Sequence, residues 1–177
     1  LFSLSDAFRP ITSGAFSLIE NYAWTVEALT DALRRLDSNG LLVVTRWLGT
    51  PPAEAPRAWA TLLAAMRQEG ISDPGAHVLA FRTMRTATLI ASESPLTVEE
   101  LRAARAFLKR NAFDPIYLPD LRPEELNRFN VLPQDPYPAL FLSLLDHPAE
   151  TVAQYPFDLR PPTDNRPFFF HFFRWGQ

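Results

Sequence analysis

Helix and strand patterns alternate along the first half of this chain, and its last two strand patterns lie too close together for a crossover helix. Apolar residues at every third or fourth position predict amphipathic helices over residues 26–36 and 59–70. Between them, the continuous apolar run Leu41–Thr45 predicts a strand that is central in its sheet and covered on both faces. His77–Arg82 and Thr86–Ser92 have strand composition, and the short gap between them requires antiparallel pairing. These patterns predict an α/β fold.

The second half of the chain has a different character. Thr97–Glu100 has the spacing of a capping box, which predicts the start of another helix. Phe113–Leu118 predicts one more strand, and Pro115 places it at a sheet edge because proline cannot donate to a strand ladder. Prolines then recur every few residues from Pro119 to Pro167, around two short predicted helices near Glu124–Phe129 and Ala139–Leu145. We therefore predict an α/β unit over residues 1–95 and a helical, proline-rich subdomain with an aromatic tail over residues 96–177.

Composition excludes several kinds of site. The chain has no cysteine, so it has neither a disulfide framework nor a cysteine zinc site, as expected in a reducing compartment. Its net charge of −3 provides no attraction to nucleic acid or to an anionic membrane surface. Its 6 glycines include no Gly-x-Gly pair, which excludes a dinucleotide fingerprint and a phosphate loop within these residues. His77, His147 and His171 lack the spacing of known zinc motifs, so no metal site is expected.

Leu1–Asp6 has the pattern of a buried strand that delivers an acid to a pocket. In a doubly wound α/β enzyme, ligands bind beyond the carboxyl ends of the strands, and a glycine loop follows the first strand. Asp6 would act as a general base there if it were partly desolvated, because burial raises the pKa of a carboxylate. The alternative is a loop acid that caps the following turn. Since no such glycine loop precedes Asp6, we expect the rear half of a nucleotide-type fold.

Residues 6–47, and especially Ser13–Tyr22 with Thr25–Leu29, resemble the spermidine synthase-like branch of the class I methyltransferase superfamily. The likeness is to large bacterial proteins that fuse such a domain to membrane-spanning segments, and Pro162–Phe173 resembles the stretch before a span in those proteins. The resemblance implies the carboxyl-terminal half of a Rossmann-like methyltransferase sheet with an antiparallel last strand, followed by a small α-rich subdomain. S-adenosylmethionine or its decarboxylated form would be the cofactor of the parent protein, and this part would hold none.

One loop departs from the pattern of the aminopropyltransferases in this branch. Those enzymes carry an Asp-Ser-Ser-Asp-Pro type loop whose acids bind and deprotonate the attacking amine, and here the loop is Asp6-Ala7-Phe8-Arg9-Pro10. Arg9 replaces the second acid and would repel a polyamine, while Thr45 replaces a glutamine after the next strand. The resemblance thus implies a catalytic Asp6, with Tyr22, Arg9 and Thr45 on the substrate side, but not polyamine synthesis.

Two aromatic segments have more than one interpretation. Tyr22 and Trp24 would either roof a nucleoside by stacking or pack a helix on the sheet, and packing is the more frequent role of aromatic residues. Phe168–Trp175 would form a strand buried in this domain, a belt at a membrane interface, or a docking strip for a partner segment. Burial is favoured because Asp164 and Arg166 would pin the preceding turn.

Two functions remain open from the sequence. The chain is either part of a methyltransferase-like or aminopropyltransferase-like enzyme, inactive by itself, or a non-catalytic binding or scaffolding module that retains the fold. In either case the resemblance implies the soluble part of an integral membrane protein, and the expected location is the cytoplasmic side, because the chain lacks cysteine and resembles nucleotide-type folds.

The expected partners follow from the same interpretation. The first partner would be the amino-terminal half of the same domain. Without it, Phe2–Ser5 would be an exposed sheet edge, which predicts a homo-oligomer or a disordered first strand. Nucleic acid is not expected, and membrane contact is expected only through the parent chain.

Overall fold

The computed structural model describes residues 19–174, which form a mixed α/β fold with one antiparallel sheet. Within these residues, three short 3₁₀ turns accompany the longer elements, at Tyr22–Trp24, Pro74–His77 and Pro123–Glu125. In chain order, the strands and helices are α1 (Val26–Leu33), β1 (Leu41–Trp47), α2 (Glu54–Gln68), β2 (Val78–Arg82), β3 (Thr86–Ser92), α3 (Val98–Arg110), β4 (Asp114–Tyr117), α4 (Tyr137–Asp146) and α5 (Pro148–Gln154).

The sheet has the order β1-β3-β2-β4, and every neighbouring pair is antiparallel. The predicted pairing of β2 with β3 is therefore confirmed. Because β3 runs against both β1 and β2, those two strands share one direction although they do not touch. β4 lies at one edge, as Pro115 predicted.

The prediction that Leu41–Thr45 is a central strand is not met among the described residues, where β1 forms the other edge of the sheet. Its side chains alternate between buried and half-exposed positions instead of being buried on both faces. Leu42 and Val44 point into the main core, whereas Val43 and Thr45 lie on the opposite face. The second face of β1 is thus only partly covered, although the sequence run is continuously apolar.

Helices cover both faces of the sheet. The main core lies between one face and helices α1, α2 and α4, and it includes Trp59, Leu89 and Phe141. A smaller cluster on the other face joins Leu79 and Phe81 to α3. The main core continues into the second half of the chain, since α4 and the C-terminal segment, residues 156–174, contribute to it and β4 extends the sheet.

Local signals account for most helix ends. The hydroxyl oxygen of Thr25 accepts from the backbone N–H of Ala28 at the start of α1. α2 ends just before Gly70, whose φ of +84° is the left-handed conformation favoured after a helix. The predicted capping box at the start of α3 is present, with Thr97 and Glu100 bonding each other's backbone N–H. α1 stops at Leu33, short of the predicted end near residue 36, although Leu36 still packs against the core.

The C-terminal segment packs against the core without forming a strand. Phe169 is fully buried, while residues 168–174 form a turn and irregular backbone. The turn before residues 168–174 is pinned as predicted. Asp164 accepts from the Thr25 hydroxyl at 2.7 Å, and Arg166 lies 3.2 Å from Asp158. Burial was thus the correct interpretation for Phe169, and the predicted strand was wrong. Within residues 19–174, no helix combines the length and apolar character needed to cross a bilayer.

Candidate functional site

The residues predicted to form the substrate side fall in two parts of the chain. Asp6 and Arg9 lie outside the described residues, and their roles stay predictions. Tyr22 is 51% exposed, and its hydroxyl donates to Glu20 at 3.2 Å, which raises the pKa of Tyr22 above its ordinary value. Thr45 faces Thr88 across the β1–β3 pair, with their hydroxyl oxygens 3.1 Å apart.

Trp24, unlike Tyr22, is part of the core. Its ring lies 5.3 Å from that of Phe169, and the guanidinium of Arg46 sits 3.7 Å from the Trp24 centroid. Arg46 also bonds Glu54 at 3.2 Å, so its buried charge has both an aromatic and an acidic neighbour. The packing interpretation is therefore confirmed for Trp24 and wrong for the half-exposed Tyr22. This stack joins β1, α2 and the C-terminal segment.

The carboxyl ends of β1 and β2 lie at the same end of the sheet, which is where ligands bind in doubly wound folds. We call it the carboxyl end of the sheet, as distinct from the edges formed by β1 and β4. Arg82 is the last residue of β2 at this end and is fully buried. Its guanidinium donates to Asp135 at 2.6 and 2.9 Å, to the Asn127 side chain at 2.8 Å and to the Asn130 carbonyl at 2.8 Å. Arg82 therefore fixes the 127–135 loop over the end of β2.

Asp114 of β4, which pairs with Arg82 in the sheet, also bonds the 127–135 loop. Its carboxylate accepts the backbone N–H groups of Arg128, Phe129 and Asn130 at 2.5, 2.9 and 2.6 Å. Burial opposes ionisation of Asp114, but these hydrogen bonds outweigh it and lower the pKa of the carboxyl group. A buried acid with this many donors serves to order a loop.

The loop after β1 is also covered from the second half of the chain. The Tyr137 hydroxyl donates to the Gly49 carbonyl at 2.7 Å, and the Tyr155 hydroxyl donates to the Pro52 carbonyl at 2.6 Å. Burial raises the pKa of Tyr137 to about 12, so its hydroxyl stays protonated at neutral pH. Side chains and loops of the second half of the chain thus occupy the carboxyl end of the sheet, beyond both β1 and β2.

A second polar cluster lies under the C-terminal segment. Arg57 of α2 is 1% exposed and donates to the carbonyls of Arg160, Phe169 and His171 at 3.0, 2.9 and 2.6 Å. Its guanidinium lies 4.0 Å from the buried Asp158. Burial lowers the pKa of Arg57 to about 10, so it remains a cation at neutral pH.

Asp158 also bonds two arginines nearer the surface, Arg160 and Arg166. Its carboxylate accepts two bonds from the Arg160 side chain, at 2.8 and 2.7 Å, and one from Arg166 at 3.2 Å. Burial disfavours the charge on Asp158, but hydrogen bonds from Arg160 and the nearby Arg57 outweigh it, and the pKa falls well below its ordinary value. Asp158 is therefore an anion that orients two surface guanidinium groups.

These two guanidinium groups line a cavity of about 690 Å³ between α5 and the C-terminal segment. We call it the arginine pocket; it is lined by Arg160, Arg166, Arg174, His171, Phe168 and Phe173, together with the Ala149, Val152 and Ala153 side of α5. Arg174 donates to the carbonyls of Val152 and Ala153 near the end of α5. The pocket combines cationic and apolar walls.

Sequence reasoning did not find the arginine pocket. The signal present in the sequence was Arg57, a charged residue in the apolar pattern of α2, since a buried arginine requires an anionic or carbonyl partner elsewhere. Which partner it would find was not readable from the pattern.

Within residues 19–174, no group of three histidine or acidic side chains is arranged to hold a metal ion. Comparisons with protein-family models, with curated proteins and with solved structures found no match for the chain.

Proposed function

We propose that this chain is the rear part of a spermidine synthase-like, methyltransferase-like domain of a larger membrane-bound protein, and that this part serves binding or support rather than catalysis. The resemblance implies a last strand that runs against its neighbours. In support, β3 runs against both β1 and β2, and it lies between these two strands of equal direction. β4 is an addition beyond that arrangement.

The proposal that this part is not catalytic rests on one observation, that other parts of the chain fill the carboxyl end of the sheet. Buried Arg82 and Asp114 hold the 127–135 loop there, and Tyr137 and Tyr155 close over the loop after β1. Arg82 and Asp114 each bond the 127–135 loop, and each tyrosine hydroxyl bonds a backbone carbonyl of the loop after β1. A substrate would have to displace several charge-assisted hydrogen bonds to enter.

Calorimetric titration of the longer protein with S-adenosylmethionine and with its decarboxylated form tests the proposal. We expect no heat of binding with either donor. Binding of one of them would contradict the non-catalytic function and favour the alternative, a transferase in which Asp6 is the general base. In that case Asp6→Asn would abolish transfer, whereas Asp37→Asn, which changes an exposed acid, would leave it unchanged.

A further inference from the structure

The arginine pocket has an excess of positive charge in a chain whose net charge is −3. Arg57, Arg160 and Arg166 surround Asp158, and Arg174 lines the same cavity, so four guanidinium groups accompany one carboxylate. No aspartate or glutamate is among the described residues that line the cavity. An anion entering the pocket would therefore meet cations without a competing acid in its walls.

The guanidinium groups retain donors for such an anion. The Arg160 side chain is 62% exposed, and its bonds to Asp158 use Nε and Nη2, which leaves the two N–H groups of Nη1. Arg166 is partly exposed and also held by Asp158. Because Asp158 fixes both planar groups in advance, little side-chain entropy is lost when they bind an oxyanion.

The pocket is much larger than an inorganic anion, and its remaining walls are apolar. Its volume of about 690 Å³ lies within the range of small-molecule sites. Phe168 and Phe173 form one wall and α5 contributes Val152 and Ala153 to the other, while Phe173 is 69% exposed. An apolar group attached to the anion would cover these aromatic side chains.

We propose that the arginine pocket binds a phosphate monoester that carries an apolar group. A phosphate dianion matches the excess of guanidinium charge better than a carboxylate, and arginine binds phosphate oxygens in a bidentate manner. A soluble phosphate ester and an anionic lipid headgroup share this chemistry. The pocket lies between α5 and the C-terminal segment, so this proposal is independent of methyltransferase-like ancestry.

Titration calorimetry of the full 177-residue chain with hexyl phosphate, inorganic phosphate and hexylammonium tests the proposal. We expect hexyl phosphate to bind at least about tenfold more tightly than inorganic phosphate, and hexylammonium not to bind. Cosedimentation with phosphatidylcholine vesicles, with and without phosphatidic acid, separates the two sources. Binding of hexyl phosphate alone identifies a soluble ester, and binding of phosphatidic acid vesicles identifies a lipid headgroup.

Three variants locate the site. Arg160→Gln should weaken binding about tenfold or more, whereas the matched control Arg110→Gln, at the end of α3, should leave it unchanged. Phe173→Ser alters an exposed side chain and should weaken hexyl phosphate binding while leaving inorganic phosphate unaffected. Thermal unfolding checks that each variant is folded.

The proposal is overturned if neither hexyl phosphate nor phosphatidic acid vesicles bind the folded chain. It is also overturned if Arg160→Gln and Arg110→Gln bind with equal affinity, or if Phe173→Ser leaves the affinity for hexyl phosphate unchanged.

Discussion

Arg57 is the residue on which the position of the C-terminal segment most depends. One guanidinium group satisfies three backbone carbonyls of that segment and lies beside Asp158. These carbonyls belong to irregular backbone, which has no ladder partners of its own at those points. A cation on α2 therefore does for this segment what strand pairing does elsewhere.

Replacing Arg57 with methionine should lower the free energy of unfolding by about 3–5 kcal/mol, because it leaves buried carbonyls and the Asp158 carboxylate short of partners. Urea denaturation followed by circular dichroism measures the change. Arg67→Met on the same helix is the control, since Arg67 is exposed and donates to the Leu145 carbonyl only at the surface. A loss below about 1 kcal/mol in both variants would contradict the role of Arg57.

Asp158 should make stability depend on acidity in a defined direction. Its pKa is lower in the folded chain than in the unfolded chain, so its contribution is present above about pH 4 and is lost as the pH falls through the lower folded value. The difference in unfolding free energy between the wild type and Asp158→Asn should therefore shrink below about pH 4. Denaturant titrations of both proteins from pH 6 to pH 2 measure it. A difference that does not change with pH would contradict this assignment.

At the scale of elements, β1 is one of the two edge strands of the sheet among the described residues, and β4 is the other. β3 pairs with β1 along its whole length from Leu41 to Trp47. The other side of β1 is where the proposed methyltransferase-like sheet would continue.

Amide hydrogen exchange tests this arrangement. The alternate amides of β1 that do not bond β3 should exchange at least about 100-fold more slowly in the 177-residue chain than in a chain that lacks residues 1–18, because pairing with the strand predicted at Phe2–Ser5 would protect them. The amides of β2 provide the internal control, since both sides of that strand are already paired. Equal exchange of β1 in the two proteins would show that no further strand joins it.

At the scale of the whole molecule, an unpaired sheet edge bears on assembly. The exposed edge predicted at Phe2–Ser5 lies outside the described residues, and the homo-oligomer that it implies stays a prediction. Light scattering of the 177-residue chain should show a dimer or a larger species, or else its first strand should be disordered by NMR. A strict monomer with that strand ordered and facing solvent would contradict the prediction.

The elements that the sequence predicted well are those whose signals are local. The capping box at Thr97 and Glu100, the short β2–β3 connection and the glycine after α2 each act within a few residues, so pattern and structure agree there. α5 was not predicted, because a seven-residue helix that begins with Pro148 has too few turns to show an apolar period.

By itself, the sequence determined the α/β class, the α3 cap, the β2–β3 hairpin and the turn pinned by Asp164 and Arg166. Only the tertiary structure decided that residues of the second half of the chain fill the carboxyl end of the sheet. It also decided that Arg57 bonds the carbonyl of Arg160, 103 positions away. The physical reason is that a charged residue within an apolar helical pattern indicates by itself that its side chain is buried and requires a partner. The identity of that partner depends on which distant segments the fold brings together.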